Sequence, residues 1–206
     1  MESQLKKVRI AVFVSGGGSN LQAILDACAG RLQDVQVVWL LSNRAGAYAL
    51  ERAKLHKIDA DFIDPKNFPH PRQYFDRLLK SLISKQIDLV CLAGFLLKLE
   101  GEILQSYRGR ILNIHPALLP KYGGAGMYGH FVHEAVLRAG EIESGCTVHL
   151  VEEEFDRGPV LAQRTVSVVP GENAAELAMR VLEQEHLLYP EAIQLWKKNY
   201  ESGDLR

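Results

Sequence analysis

The sequence predicts an α/β fold: a Rossmann-like open, mostly parallel sheet with helices on both faces and antiparallel strands added near the C-terminal end. Three observations carry this. Continuous apolar runs rich in β-branched residues alternate with segments of helical periodicity, the pattern of strands buried on both faces. A glycine-rich turn follows the first run. After Pro120 the style changes to two strand-like runs joined by a short acidic turn.

In chain order, Val8–Val14 reads as the first strand and Leu21–Cys28 as a helix, with Leu21, Ile24, Leu25 and Cys28 on one face. Val35–Leu41 is a second strand, followed by a helix from Ala45 to about His56. A weaker strand at Ala60–Ile63 leads through the Pro65–Pro71 connector to a helix near Tyr74–Ile83. Ile87–Leu92 and Arg110–Ile114 are further strands. Beyond Gly123–Gly129 come a helix over Phe131–Ala139 and strands at Gly145–Val151 and Val160–Val168. A closing helix, Ala174–Lys198, is expected to be interrupted and kinked at Pro190. No linker, repeat or composition break divides the chain, so one domain over residues 1–206 is expected.

Composition narrows the function classes. The 206 residues are 47% hydrophobic and 24% charged, and 24 Lys and Arg nearly balance 25 Asp and Glu. No basic run supports nucleic-acid binding, and no apolar stretch approaches a membrane span. The basic residues before Ile10 do not open a secretory signal, because the apolar run after them is short and ends in glycines. Cys28, Cys91 and Cys146 are scattered and odd in number, which fits a reducing, cytoplasmic compartment.

Two segments carry chemistry. Ser15-Gly16-Gly17-Gly18-Ser19-Asn20 joins the first strand to the first helix. Its glycines allow close backbone approach, and the first helical turn offers free N–H groups to an anion, so a phosphate is expected there. The loop is not a dinucleotide fingerprint, since Leu21 stands where the third glycine belongs, nor a P-loop, since no lysine follows Gly18. A tight turn using glycine for geometry alone is the competing reading. The second segment, Asn113-Ile114-His115-Pro116, ends a buried strand, and alternation puts Asn113 and His115 on one face. Such strand ends are where open α/β sheets place their sites. An Asn amide donates to a carbonyl oxygen gaining charge, and a His moves protons near neutral pH; equally, backbone groups could satisfy both side chains. Asp156, within the acidic turn Glu152-Glu153-Glu154-Phe155-Asp156, is on its own one acid among several, in a run that also suits a solvated loop or a hard cation.

Other histidines carry weaker signals. His133-Glu134 fails the H-E-x-x-H zinc motif because Leu137 occupies the fifth position, leaving His130 and His133 a surface or packing role. His149 shares a strand face with Thr147, and reads either as support for the site or as a satisfied core histidine.

Taken together, S-G-G-G-S-N at 15–20, L-A-G-F at 92–95, N-I-H-P-A-L-L-P at 113–120 and D-R-G-P at 156–159 resemble the folate-dependent phosphoribosylglycinamide formyltransferase family, over essentially the whole chain. The resemblance implies a formyltransferase fold and transfer of a formyl group from 10-formyltetrahydrofolate to the amine of glycinamide ribonucleotide, without metal and without a covalent enzyme intermediate. It implies Asn113, His115 and Asp156 as catalytic residues, with Asp156 keeping His115 protonated and oriented. Gly17, Gly18, Ser19 and Asn20 would hold the ribonucleotide phosphate and Glu185 the ribose. The folate would be met by Arg72 at its acidic tail. Its pterin would be met by Phe95, Leu96, Leu97, Lys98 and Leu99, by Asn113, and by the turn Glu152, Glu153, Glu154, Phe155 and Asp156.

The partners so implied are small molecules, with no nucleic acid and no membrane, and a monomer or homodimer. The sequence departs from the family in two places. Gly94-Phe95-Leu96-Leu97 stands where many members read Gly-Phe-Met-Arg, and Gly123–His133 differs from the Pro-Gly-Leu-His type. Formyltetrahydrofolate hydrolases, the nearest alternative, usually carry an N-terminal regulatory domain, whereas this chain reaches its first strand by Val8. Methionyl-tRNA formyltransferases carry a further C-terminal domain and lack this glycine loop.

Overall fold

The computed structural model describes residues 7–203. Seven strands follow the order β3-β2-β1-β4-β5-β6-β7 in a mostly parallel sheet: β1 Val8–Val14, β2 Val35–Ser42, β3 Asp59–Phe62, β4 Leu89–Leu92, β5 Ile111–His115, β6 Glu143–Leu150 and β7 Val160–Ser167. Antiparallel pairing appears at β5–β6 and β6–β7, as expected for the C-terminal end. The chain divides between Ile111 and Leu112 into two compact units.

In the first unit β1 pairs in parallel with β2 and β4, and β2 with β3. Ile10–Val14 and Leu89–Cys91 are fully or almost fully buried, which explains why these strands lack polar alternation. Each large apolar side chain so buried is worth about 1.5–3 kcal/mol. Phe13 packs edge-on against Trp39 at 5.6 Å between ring centroids and, with its ring tilted, against Phe95 at 5.5 Å. The Trp39 indole N–H donates to Asp61 Oδ2 at 2.8 Å, so the large ring is buried without an orphaned donor.

The helices of this unit are α1 Ser19–Ala29, α2 Ala49–Leu55, α3 Pro71–Ser84 and α4 Glu102–Ser106. Helix α2 begins four residues later than its periodicity suggests. Ser42 Oγ accepts from Arg44 N and donates to Arg44 O, which holds the start of that stretch in a turn. Helix α3 begins earlier than expected, at Pro71, where proline suits the first helical position. Helix α4 was not expected; a five-residue helix is too short to show a period.

The second unit holds β5, β6 and β7 with helices α5 His130–Arg138 and α6 Ala174–Ser202. Helix α6 packs on β6 and β7 through a face that includes Leu177, Val181, Leu188, Ala192, Ile193 and Trp196. Its start is a capping box: Asn173 Oδ1 accepts from the N–H groups of Ala175 and Glu176, and the Glu176 carboxylate accepts from Asn173 N. The expected interruption at Pro190 is not found. The helix runs through it as one element, with Pro190 buried in the packed face. Burial there outweighs the helical hydrogen bond that proline cannot make. The neighbouring Tyr189 hydroxyl donates to the carbonyl of Leu112 on β5 at 3.1 Å.

Candidate active site

The glycine loop lies between β1 and α1, as the sequence indicated. Ser15 anchors it. Its N–H donates to Gly94 O at 3.0 Å and its Oγ accepts from Leu96 N at 3.0 Å, tying the loop to the Gly94–Leu96 turn. Gly18 caps α1 with φ 71°, and no side chain closes that helix end. A Cβ at Gly18 would lie 2.7 Å from Ala49 Cβ, so glycine is required twice over, for the left-handed backbone and for the close approach of α2. Among the described residues, the N–H groups of Gly16, Gly17, Gly18 and Ser19 make no hydrogen bond. Consecutive free donors at a helix start form a ready anion site. Asn20 is buried in the first turn of α1.

In the second unit, strand pairing assembles the polar centre. Asn113 lies opposite His149 and His115 opposite Thr147 in the β5–β6 register. Asp156 reaches the same place from the turn after β6, with its backbone at φ 53°. That conformation is uncommon for a residue other than glycine, and its cost is met by the contacts its carboxylate makes. Oδ2 accepts from Gly124 N at 2.9 Å and lies 3.5 Å from His115 Nδ1; Oδ1 lies 3.4 Å from both His149 Nε2 and Asn113 Nδ2. Asn113 Nδ2 is also 3.1 Å from His149 Nε2. The glycine of the D-R-G-P turn has a steric reason, since a Cβ at Gly158 would lie 1.9 Å from Leu150 O.

The electrostatics follow from this enclosure. His115 is only 4% exposed and the Asp156 side chain 9%. Burial pulls the His115 pKa below the usual histidine value; Asp156 pushes it up, as does the bond to Tyr122, and the nearby His149 charge pulls it down. The net direction is down. The desolvation cost of an imidazolium outweighs the attraction. Asp156 shows the opposite balance. Burial raises its pKa, but the His149 hydrogen bond, the His115 charge and Gly124 N–H together hold it below the ordinary carboxylate value. It is therefore an anion at neutral pH.

The structure thus brings Asn113, His115 and Asp156 together and adds His149 to them. Strand alternation put His149 on one face with Thr147 but left both readings open, support for the site or a satisfied core histidine. Two members had no sequence signal, the carbonyl of Tyr122 and the N–H of Gly124; His133, read from the sequence as a surface or packing residue, is buried near His115, and its Nδ1 has no hydrogen-bond partner among the described residues. Backbone groups are invisible to residue identity, and His133 depends on where α5 packs.

The remaining expected residues divide by exposure. Phe95 and Leu99 are buried, with Phe95 against Phe13, whereas Leu96 and Lys98 are exposed and Leu97 half-buried. Arg72 is exposed in the first turn of α3, Glu152–Phe155 are exposed, and Glu185 is buried on α6.

The glycine loop lies in the first unit and the Asn113, His115 and Asp156 cluster in the second. The chain belongs to the formyl transferase family, whose model matches residues 8–193. It is 39% identical over 186 residues to phosphoribosylglycinamide formyltransferase of Haemophilus influenzae, covering 90% of this chain and 85% of that protein. It is also 41% identical over 197 residues to the trifunctional purine biosynthetic protein adenosine-3 of Drosophila pseudoobscura pseudoobscura. That match takes in 95% of this chain but only 14% of the much longer relative. Among solved structures, glycinamide ribonucleotide transformylase 1 from Symbiobacterium toebii superposes with a TM-score of 0.90 at 39% identity, covering 97% of this chain and 92% of that one.

Proposed function

We propose that the chain is a single formyltransferase domain that transfers the formyl group of 10-formyltetrahydrofolate to the amine of glycinamide ribonucleotide, giving formylglycinamide ribonucleotide and tetrahydrofolate. The family match runs through both units, which supports reading them as one domain. The observation that carries the reaction is the convergence of Asn113, His115, His149 and Asp156 within 3.5 Å contacts, with both imidazoles buried.

The donor set fits a carbonyl oxygen gaining charge. His115 Nε2 is committed to the Tyr122 carbonyl, which can only accept, so Nε2 carries a hydrogen and the neutral ring presents its lone pair at Nδ1. A proton arriving at Nδ1 lies beside Asp156 Oδ2, which stabilises it. Such a proton is released as the substrate amine attacks the formyl carbon. The new C–N bond forms, the bond from the formyl carbon to the folate nitrogen breaks, and the proton passes from the amine to that nitrogen. Asp156 and His115 hold and move the proton. Asn113 Nδ2, 3.4 Å from Asp156 Oδ1, donates to the formyl oxygen, and the Nδ1–H that His115 gains from the amine is the second donor there. Each such donor is worth about 3–4 kcal/mol in a water-excluded site. No nucleophilic side chain is needed, because the amine is the nucleophile.

Gly17, Gly18, Ser19 and Asn20 bind the ribonucleotide phosphate, and the Glu185 carboxylate accepts from the ribose hydroxyls. The 95–99 segment, Asn113 and the 152–156 turn take the pterin, and Arg72 the acidic folate tail. Among the described residues no helix is long and apolar enough to cross a membrane. Small-molecule substrates and reduced cysteines support a cytoplasmic enzyme, as monomer or homodimer. The deciding assay follows loss of formyl folate with and without glycinamide ribonucleotide. Transfer requires the ribonucleotide; turnover that ignores it replaces this reading with hydrolysis.

A further inference from the structure

Two successive carbonyls of the glycine loop point at α2. Gly16 O accepts from Ala49 N at 3.3 Å, and Gly17 O accepts from Arg52 Nε at 2.9 Å. In a trans peptide the C=O and the following N–H point in opposite directions, and neither of these peptides is cis. Anchoring the two carbonyls on α2 therefore turns the N–H groups of Gly17 and Gly18 to the opposite side, where neither finds a partner among the described residues. Open space surrounds Gly16 and Gly17, with no atom within 4 Å of a Cβ placed on either. Without an anchor, glycine peptides would rotate freely, and the donors would have to be ordered by the ligand at its own expense.

The Arg52 side chain is itself held from three sides. Nη1 donates to Gln22 Oε1 on α1 at 3.1 Å, Nε is bonded to the loop, and the guanidinium lies 5.1 Å from the Tyr48 ring centroid. The loop has no lysine of its own, and Arg52 is a cation bonded to it. A charged donor on Gly17 O also withdraws electron density from that peptide, strengthening Gly18 N–H as a donor on the far side.

We propose that Arg52 is a positioning residue for anion binding: it locks the Gly17–Gly18 peptide so that the loop presents preorganised N–H donors to a phosphate monoester. This rests on the loop being the phosphate subsite of the proposed reaction, but it is tested without that reaction. The probe is ribose 5-phosphate, with binding followed by calorimetry for the wild type, Arg52→Gln and Arg52→Lys. Arg52→Gln should weaken the Kd roughly tenfold, the loss of one charge-assisted hydrogen bond. Arg52→Lys, which can still donate to Gly17 O, should recover most of that loss. With glycinamide ribonucleotide, the same factor should appear in its KM, while kcat and the KM for formyl folate stay close to wild type.

A merely structural staple between α1 and α2 would lower the melting temperature of Arg52→Gln and leave ribose 5-phosphate affinity unchanged, and that result overturns the proposal. So does a wild-type protein that does not bind ribose 5-phosphate. If Arg52→Gln weakens ribose 5-phosphate but the wild type does not formylate the ribonucleotide, the proposal stands and the reaction assignment falls.

Discussion

His115 Nε2 lies 2.8 Å from the carbonyl oxygen of Tyr122, seven residues further along the chain, and this bond decides which face of the imidazole can do chemistry. It fixes a hydrogen on Nε2 and leaves Nδ1, 3.5 Å from Asp156, as the nitrogen that gains or gives a proton. Burial, the largest influence, lowers the pKa of the ring below the usual histidine value. A histidine whose folded pKa is lowered binds fewer protons than it does in the unfolded chain, so stability falls as pH drops below about 6.5 and stops falling below the folded value. His133 contributes in the same direction, again chiefly through burial. Asp156, with its pKa held low, keeps its contribution until more acidic conditions. The expected outcome is a melting temperature that declines from pH 7 to pH 5, with a shallower decline in His115→Gln. Parallel profiles for the two proteins would show that His115 is not the group responsible.

Replacing Asp156 with Asn keeps the shape of the side chain and removes its charge. Kcat should fall about 10²–10⁴-fold, the range for loss of a positioned acid–base group. Ribonucleotide affinity should be nearly unchanged, because the phosphate loop is untouched. The His115 pKa should move further down, since the Asp156 charge is what raises it. An NMR titration of the His115 ring reads that shift directly, and a ring titrating as in wild type would remove Asp156 from the electrostatic role given to it.

Much of this site was legible in the sequence because it depends on residue identity at strand ends. Asn113 and His115 follow from alternation, and the glycine loop from its place between β1 and α1. Asp156 was not selected by chemistry; only the resemblance of D-R-G-P at 156–159 to the family pattern distinguished it from Glu152, Glu153 and Glu154. The structure gives the reason. A left-handed backbone at Asp156, with Gly158 packed under Leu150 O, aims that one carboxylate inward while its acidic neighbours remain exposed. The roles of Tyr122 and Gly124 lie in their backbone atoms, and Arg52 acts through the packing of α2 on the loop. None of these is encoded in a local pattern. Pro190 shows the opposite limit, a strong local rule overridden by burial.

Gly18→Ala separates loop geometry from loop chemistry. The left-handed φ costs a non-glycine residue about 1–2 kcal/mol, and the added methyl at 2.7 Å from Ala49 Cβ forces α2 or the loop to shift. Stability in urea should fall by at least that amount. The KM for glycinamide ribonucleotide should rise by more than tenfold, because the shift disturbs the N–H array, while kcat at saturation changes little. An unchanged KM alongside the lost stability would mean that this stretch of loop does not contact the substrate.

Thr147 tests the support beneath His115. Its Oγ1 donates to Ala117 O at 2.6 Å and accepts from Leu119 N at 3.1 Å and Gln163 Nε2 at 2.9 Å, with the side chain fully buried. Gln163 Nε2 also donates to Leu119 O at 3.0 Å, so one hydroxyl organises the segment leading from His115 to Tyr122. Thr147→Val preserves the shape and the β-branched stiffness but strands the Ala117 carbonyl and the Leu119 N–H. Each buried group left unsatisfied costs about 1–3 kcal/mol. Chemical denaturation should therefore show a loss at the upper part of that range or beyond, against a much smaller loss for Thr147→Ser, which keeps the hydroxyl. Because Tyr122 O orients His115, the valine variant should also lose several-fold in kcat where the serine variant does not. If valine lowered stability but left kcat at the serine level, the carbonyl of Tyr122 would be held by its own turn, independently of Thr147.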